Sequence, residues 1–171
     1  MGLWIWAVVA LVASCFAVPV YLGAPYLPTL SRHREELLDF SGIERGQTVV
    51  DLGCGDGRFL RAAAVRGVRG IGYEVNPVLW AVSKVVLWSR RDLVSVRFGD
   101  YRRHPLPEAD LVYVFLRQER MAELAAKVAA EAREPVRLLS YCYTVPDRTP
   151  CRSLPYAHLY CFGAERGHGH A

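Results

Sequence analysis

Residues 51 to 57 read Asp-Leu-Gly-Cys-Gly-Asp-Gly, directly after the β-branched pair Val49-Val50. Glycines at every second position let a turn adopt backbone conformations closed to other residues and let a ligand touch the main chain. Between a strand and a helix, such a turn aims amides at that ligand. Two ligand classes use the device. Dinucleotides require the spacing G-x-G-x-x-G, so that a pyrophosphate meets the helix start. Here the glycines are Gly53, Gly55 and Gly57, and Asp51 and Asp56 put carboxylates beside them. Those acids repel an anion and favour a ligand with an amino group and a sulfonium cation. Cys54 is a nucleophile by type, and packing or a backbone contact with the ligand competes with that role. Asp56 is either a ligand contact or a first-turn carboxylate favoured by the helix dipole.

Further acids constrain the ligand. Glu74 closes the run Gly70-Ile-Gly-Tyr-Glu, about 20 residues after the turn, where a carboxylate can accept both hydroxyls of a ribose. Gly99-Asp100 closes a third run and suits an acceptor for an adenine amino group. Asp51, Glu74 and Asp100 thus stand at three successive strand ends and outline a pocket for S-adenosylmethionine. Methyl transfer from a sulfonium needs a neutral nucleophile held in line, about 3 Å from the methyl carbon, and little else. An apolar, aromatic channel lowers the pKa of an amine, so no dedicated base is required. Tyr113 and Phe115, with Tyr26, are candidates for that lining; for the first two, plain core packing competes.

The elements that must hold these residues alternate. Arg32–Phe40 reads as a helix, Thr48–Leu52 as a buried strand, Arg58–Arg66 as an alanine-rich helix and Gly70–Glu74 as a strand. Pro77–Ser89 is a helix opened by its proline. Val94–Phe98, Ala109–Phe115 and Val136–Tyr143 are three more strands, and Gln118–Ala132 consists of good helix formers. Leu159–Phe162 closes the sheet as an antiparallel edge. The alternation predicts a doubly wound α/β domain with a mainly parallel, Rossmann-like sheet, whose ligand lies beyond the strands' carboxyl ends at the topological switch point.

The amino-terminal end is different. No side chain from Met1 to Leu30 is formally charged, and Leu3 to Leu22 as a helix would span about 30 Å, the depth of a hydrocarbon core. Trp4, Trp6, Tyr21 and Tyr26 stand where interfacial aromatics belong, and Arg32 and Arg34 follow at once. The reading is a single-pass transmembrane anchor over residues 1–30, with the domain of residues 31–162 facing the cytoplasm and a disordered tail over 163–171. A cleaved signal peptide would open with a lysine or arginine, which is missing. The missing basic start also counts against Val12-Ala-Ser-Cys15 as a lipoprotein box.

With 171 residues and 52% hydrophobic content the chain supports one domain with a real core. A net charge of +4, with arginines scattered among acids, leaves no strip for nucleic acid. Arg90, Arg91, Arg97, Arg102 and Arg103 form either a solvated face or a face toward anionic lipid or an acidic partner. Five cysteines without a CxxC pair fit free thiols in a reducing compartment and give no metal site, and His168 and His170 lie in the glycine-rich tail.

The D-L-G-C-G-D-G run, the acidic end of the second strand and Gly99-Asp100 resemble the class I S-adenosylmethionine-dependent methyltransferases. Pro25-Tyr-Leu-Pro-Thr29 and Gly72-Tyr-Glu-Val-Asn-Pro-Val-Leu79 are similar to a narrower set. These are small membrane-anchored protein-lysine methyltransferases, including those acting on the c-subunit of ATP synthase and on the adenine nucleotide translocase. The likeness covers roughly residues 1 to 162. It implies that Asp51, Gly53, Cys54, Gly55, Glu74, Val75, Asn76, Asp100 and Tyr101 bind the cofactor. It also implies that Tyr26, Pro28 and Thr29 close the pocket beside the substrate lysine; Tyr113 and Phe115, by their place at a strand end, join Tyr26 and Thr29 as candidates on the catalytic side. The expected function is methylation of an amine, foremost a lysine of a membrane protein. A lipid or small-molecule methyltransferase and an inactive S-adenosylmethionine-binding assembly module are the alternatives. Arg102 stands where that set usually carries an aromatic residue, two positions after the third-strand Asp, which bears on the substrate rather than the cofactor.

Overall fold

The computed structural model describes residues 2, 4–10, 13, 31–133 and 135–163. Among these, the chain from residue 31 on runs α1 (Ser31–Ser41), β1 (Thr48–Leu52), α2 (Arg58–Val65), β2 (Arg69–Glu74), α3 (Pro77–Val86), β3 (Val94–Phe98), β4 (Leu111–Val114), α4 (Met121–Glu131), β5 (Val136–Tyr141), β6 (Arg152–Leu154) and β7 (Ala157–Phe162). The strands form one seven-stranded sheet in the order β3-β2-β1-β4-β5-β7-β6. The pairings from β3 to β5 are parallel, and β7 joins β5 and β6 antiparallel. Strand order reverses between β1 and β4, and the glycine turn leaves β1 at that reversal.

The central strands are short apolar runs because both of their faces are covered. On one face, Leu37, Leu38, Phe59, Leu60, Leu111, Tyr113 and Leu139 form a core under α1 and α2. On the other, Val50, Leu52, Val112, Leu138, Met121, Leu124 and Val128 pack under α4. Side chains alternate across the sheet, so the register decides which residues share a face. Asp51 is level with Gly72 of β2 and Tyr113 of β4, and Tyr113 is level with Leu139 of β5. Asp51 therefore lies on the α1–α2 side, in the same row as Tyr113.

The helices start where their caps allow. Asn76 caps α3, its Oδ1 accepting the N–H groups of Val78 at 2.9 Å and Leu79 at 3.3 Å, with Pro77 at the first helical position. Gly57 opens α2 in the left-handed conformation at φ 79°. Arg66, at the end of α2, ties it to α1 through Glu35 at 2.6 Å and Asp39 at 2.5 Å.

The structure corrects several expectations. The helix expected over Pro77–Ser89 ends at Val86 and continues after Leu87 as a 3-10 turn, Trp88–Arg90. The strand expected to reach Tyr143 ends at Tyr141, because Cys142 has φ 73° and turns the chain out of the ladder. β6 is an addition to the expected strands, since its three residues carry no alternation of polarity. The thiols are not all free. The β6–β7 hairpin brings Cys151 and Cys161 together as a disulfide, with Cα atoms 6.1 Å apart, while Cys54 and Cys142 are free. A pairing set up by a hairpin leaves no CxxC signal.

Residues 4–10 are helical and exposed, Trp4 by 83% and Trp6 by 72%. Among the described residues no helix is long and apolar enough to cross a membrane. Residues 11–12 and 14–30, most of the expected anchor, lie outside the described residues. So do Tyr26, Pro28 and Thr29, and residues 164–171 of the expected tail.

Candidate functional site

The glycine turn and the ends of β1 and β2 form one hydrogen-bonded unit. The N–H groups of Gly53 and Cys54 both donate to the Tyr73 carbonyl at 2.9 Å, and that of Gly57 donates to the Cys54 carbonyl at 2.9 Å. Gly55 donates its N–H to Glu74 Oε2 at 2.8 Å, and Arg58 donates its N–H to Asp56 Oδ1 at 3.2 Å. The amides expected to face a ligand are thus bonded within the chain. An anion at this turn finds those donors committed and acids beside them, which removes the basis for pyrophosphate binding.

The acids are coupled. Glu74 is buried, and its other oxygen accepts the Asn76 N–H at 2.7 Å, so one side chain fixes the turn and the start of α3 together. Burial pushes its carboxyl up, against the pull of those main-chain donors. Asp51 is only 3% exposed. Burial first, then the charges of Glu74 and Asp56, raise its carboxyl well above the ordinary range. Among the described residues none donates a hydrogen bond to Asp51. The neighbouring cation, Arg58, is held by Asp56, Nη2 to Oδ2 at 2.5 Å. What remains is a buried acid pair whose charge is stabilised by an added cation or N–H donor.

The three glycines serve different ends. A Cβ on Gly53, at φ 97°, would meet nothing nearer than Leu116 at 3.9 Å, so the space above it is open to a ligand. A Cβ on Gly57 would lie 2.7 Å from Leu87, which makes that glycine a packing requirement of α2 against the α3 end. Gly72 of β2 belongs to the same system, because a Cβ there would lie 2.7 Å from Cys54 Sγ and 2.8 Å from Leu60. Cys54 thus turns its thiol inward. Burial, followed by Asp51 and Glu74, pushes that thiol well up, which disfavours the nucleophilic thiolate.

The third acid is in place but engaged. The Gly99 N–H donates to the Glu74 carbonyl at 2.9 Å, which sets Asp100 beside the β2 exit. Arg102 takes both Asp100 oxygens, with Nε 3.0 Å from each and Nη2 at 2.6 Å, and holds the carboxyl below its usual range. Both Asp100 oxygens are thus engaged by the i,i+2 arginine in this structure. Tyr101 packs half-buried against the core under α4, and burial pushes its phenol up to about 12. Val75 is exposed at the mouth, between Glu74 and Asn76.

Tyr113 is 2% exposed and stacks on Phe59 with ring centres 3.7 Å apart, so its ring is core. Phe115 lies at the rim, edge-on to Tyr141 at 4.7 Å and beside Tyr143 at 6.4 Å. Tyr141 in turn bonds His33 Nδ1 through its hydroxyl at 2.6 Å, and His33 lies flat on Tyr156 at 4.2 Å. A hydrogen bond to Glu36 pushes the Tyr156 phenol up to about 12. Sequence reasoning names Phe115 of this aromatic group at the β4 and β5 exits and misses Tyr141, Tyr143, Tyr156 and His33. Its signal is the repeated spacing Tyr113-x-Phe115 and Tyr141-x-Tyr143 at two strand ends.

The sequence matches the ANTKMT methyltransferase domain over residues 51–152, from Asp51 of the turn to the start of β6. The chain belongs to that family. Similar proteins include the human ATP synthase c-subunit lysine N-methyltransferase, 29% identical over 143 residues, which covers 81% of this chain and 61% of the human protein. The mouse adenine nucleotide translocase lysine N-methyltransferase is 32% identical over 136 residues, covering 78% of this chain and 59% of the mouse protein. The chain thus spans about six tenths of the length of these two relatives. Among solved structures, an RNA methyltransferase from Salinibacter ruber, in complex with S-adenosyl-L-homocysteine, superposes with a TM-score of 0.76 at 23% identity. It covers 84% of this chain and 98% of its own, a likeness of fold.

Proposed function

We propose that this ANTKMT-family chain is an S-adenosylmethionine-dependent methyltransferase that methylates a lysine amine of a membrane protein. The observation that carries the reading is Asp51, a buried acid without a hydrogen-bond donor among the described residues, next to Glu74 and a turn whose amides are spent. Such a site favours a cationic ligand with hydroxyl and amino donors and rejects a phosphate. When bound, S-adenosylmethionine supplies an electrophilic methyl on a sulfonium, so that the amine forms a C–N bond as the C–S bond breaks and a neutral thioether leaves.

The chain's own residues bind, orient and exclude water. Glu74, already fixed by Gly55 and Asn76, offers its remaining lone pairs to ribose hydroxyls. Asp51 faces the cationic end. Gly53 leaves the close approach open, and Cys54 and Gly55 shape it. Val75, Asn76, Asp100 and Tyr101 border the adenine side, with Asp100 accepting an amino group once Arg102 swings aside. Phe115, Tyr141 and Tyr143 make an apolar approach in which an ammonium loses its proton more readily than in water. Tyr113 backs that wall; Tyr26 and Thr29, the other residues assigned to the acceptor side, lie outside the described residues.

The membrane reading follows from residues 1–30, which carry no charge. Trp4, Ile5, Trp6, Val8 and Val9 of that segment are all at least half exposed. A tether there confines encounters to the bilayer surface and raises the effective concentration of targets, with the domain on the cytoplasmic side. The relatives' names point to lysines of the ATP synthase c-subunit and of adenine nucleotide translocase, hence the choice of acceptor. The test is to incubate membranes with the full chain and methyl-labelled S-adenosylmethionine, followed by acid hydrolysis. Label recovered as methyl-lysine is expected. Label confined to lipid, or absent, contradicts the assignment.

A further inference from the structure

One surface lies outside the cofactor site and its aromatic rim. Along α3 and the turn after it, Ala81, Val82, Val85 and Trp88 recur at helical spacing, and all are exposed, Val85 by 77% and Trp88 by 67%. Phe98, 55% exposed on the edge strand β3, extends this stripe through Trp80, whose ring meets it edge-on at 5.7 Å. A solvated helix face is polar, and a contiguous apolar stripe at a sheet edge marks an interaction site.

The charges beside the stripe identify the partner. Between residues 75 and 98 the cations are Lys84, Arg90, Arg91 and Arg97, and Asp92 is the single acid. Several cations elsewhere on the domain are matched with carboxylates, as in Arg66 with Glu35, Arg120 with Glu123, Lys127 with Glu131 and Arg133 with Glu108. Among the described residues, Lys84, Arg90 and Arg91 have no carboxylate partner; Arg91 lies over the Trp88 ring at 4.8 Å and bonds the Trp88 carbonyl at 3.0 Å. Apolar side chains with a tryptophan, flanked by unmatched cations, fit the interfacial zone of an anionic bilayer. A second copy of the same chain would bring like charges together.

We infer that the α3–β3 face seats on an anionic lipid surface, with Val85, Trp88 and Phe98 entering the headgroup boundary and Lys84, Arg90 and Arg91 meeting lipid phosphates. This deepens the membrane reading above but does not depend on the tether or on catalysis. Its consequence is geometric. α3 has 10 residues and is capped by Asn76, whose N–H donates to Glu74. A helix of that length measures about 15 Å, so docking holds the mouth of the site near the bilayer surface, where a membrane protein presents its lysine.

The test uses the full chain carrying W4F/W6F, so that emission comes from Trp80 and Trp88, and W88F to subtract Trp80. Vesicles of brominated phosphatidylcholine are prepared with and without phosphatidylglycerol. Quenching of Trp88 that requires phosphatidylglycerol and is reversed by high salt is expected. Reversing the charges in K84E/R90E/R91E weakens docking at least on the order of a hundredfold, each cation contributing roughly fivefold. Trp88 emission that stays unquenched in every vesicle, that is quenched equally without anionic lipid, or that shifts with protein concentration in the absence of lipid overturns the proposal. Near-ultraviolet circular dichroism confirms that the variants fold. S-adenosylhomocysteine affinity in the same samples tests the cofactor reading separately, and extraction of residues 1–30 from the bilayer tests the tether.

Discussion

Glu74 accepts the main-chain N–H of Gly55 at 2.8 Å across the β1–β2 exits, while its second oxygen holds Asn76 at 2.7 Å. One carboxylate thereby joins the glycine turn to the cap of α3. Glu74→Ala strands two buried donors and removes the ribose acceptor. The expected loss is about 2–4 kcal/mol of apo stability and about 1–3 kcal/mol of S-adenosylhomocysteine affinity, with Glu74→Gln intermediate. Thermal melts and calorimetry read the two effects, and unchanged values in both refute the role.

Asp51 gives a pH signature. Its carboxyl is raised in the fold by burial, then by Glu74 and Asp56, so the folded chain holds this proton more tightly than the unfolded chain. Asp51 therefore detracts from stability as pH rises out of the ordinary carboxylate range through the raised folded value, and it costs nothing below that range. Asp51→Asn is expected to melt higher than the parent at neutral pH, with the gap closing in acid. The same change weakens cofactor binding by at least about tenfold. At mildly acidic pH, binding of a cationic ligand should release a proton, seen as a buffer-dependent calorimetric heat. A melting difference that is independent of pH contradicts this account.

Gly72 is expected to be as intolerant as the motif glycines. Gly72→Ala drives a Cβ to 2.7 Å from Cys54 Sγ and 2.8 Å from Leu60, at a cost of about 1–3 kcal/mol. Adding Cys54→Ala should recover part of that loss, with a coupling of at least about 0.5 kcal/mol in chemical denaturation. Strict additivity would separate the two residues.

The aromatic group at the β4 and β5 exits is assigned to the acceptor side. Tyr141→Phe removes the hydroxyl that meets His33 Nδ1 at 2.6 Å. S-adenosylhomocysteine affinity should hold while kcat falls by about tenfold to a hundredfold through misplacement of the acceptor, at a stability cost of about 1 kcal/mol. Full turnover in this variant removes the group from the acceptor path.

What the sequence made legible was local. The apolar run of β1, the proline that opens α3, and the acid ending β2 each carry their signal within a few residues, and the structure has them where expected. The glycine motif was legible as a turn, but its internal division of labour was not. Gly53 faces open space while Gly57 faces Leu87, thirty positions further on. Asp100 reads as an acceptor by position, and only the fold reveals Arg102 on both of its oxygens. The His33–Tyr141 bond joins residues 108 apart, and the Cys151–Cys161 pair depends on a hairpin whose first strand has three residues. Contacts of that kind follow from topology and leave no periodicity to read.

The most direct measurement is calorimetric titration of the full chain with S-adenosylhomocysteine and, separately, with NAD, in the parent and in Asp51→Asn. The expected result is that S-adenosylhomocysteine binds, the substitution weakens it, and NAD gives no heat. A chain that binds NAD and leaves S-adenosylhomocysteine in solution, or that binds it equally well without the Asp51 carboxylate, contradicts the account.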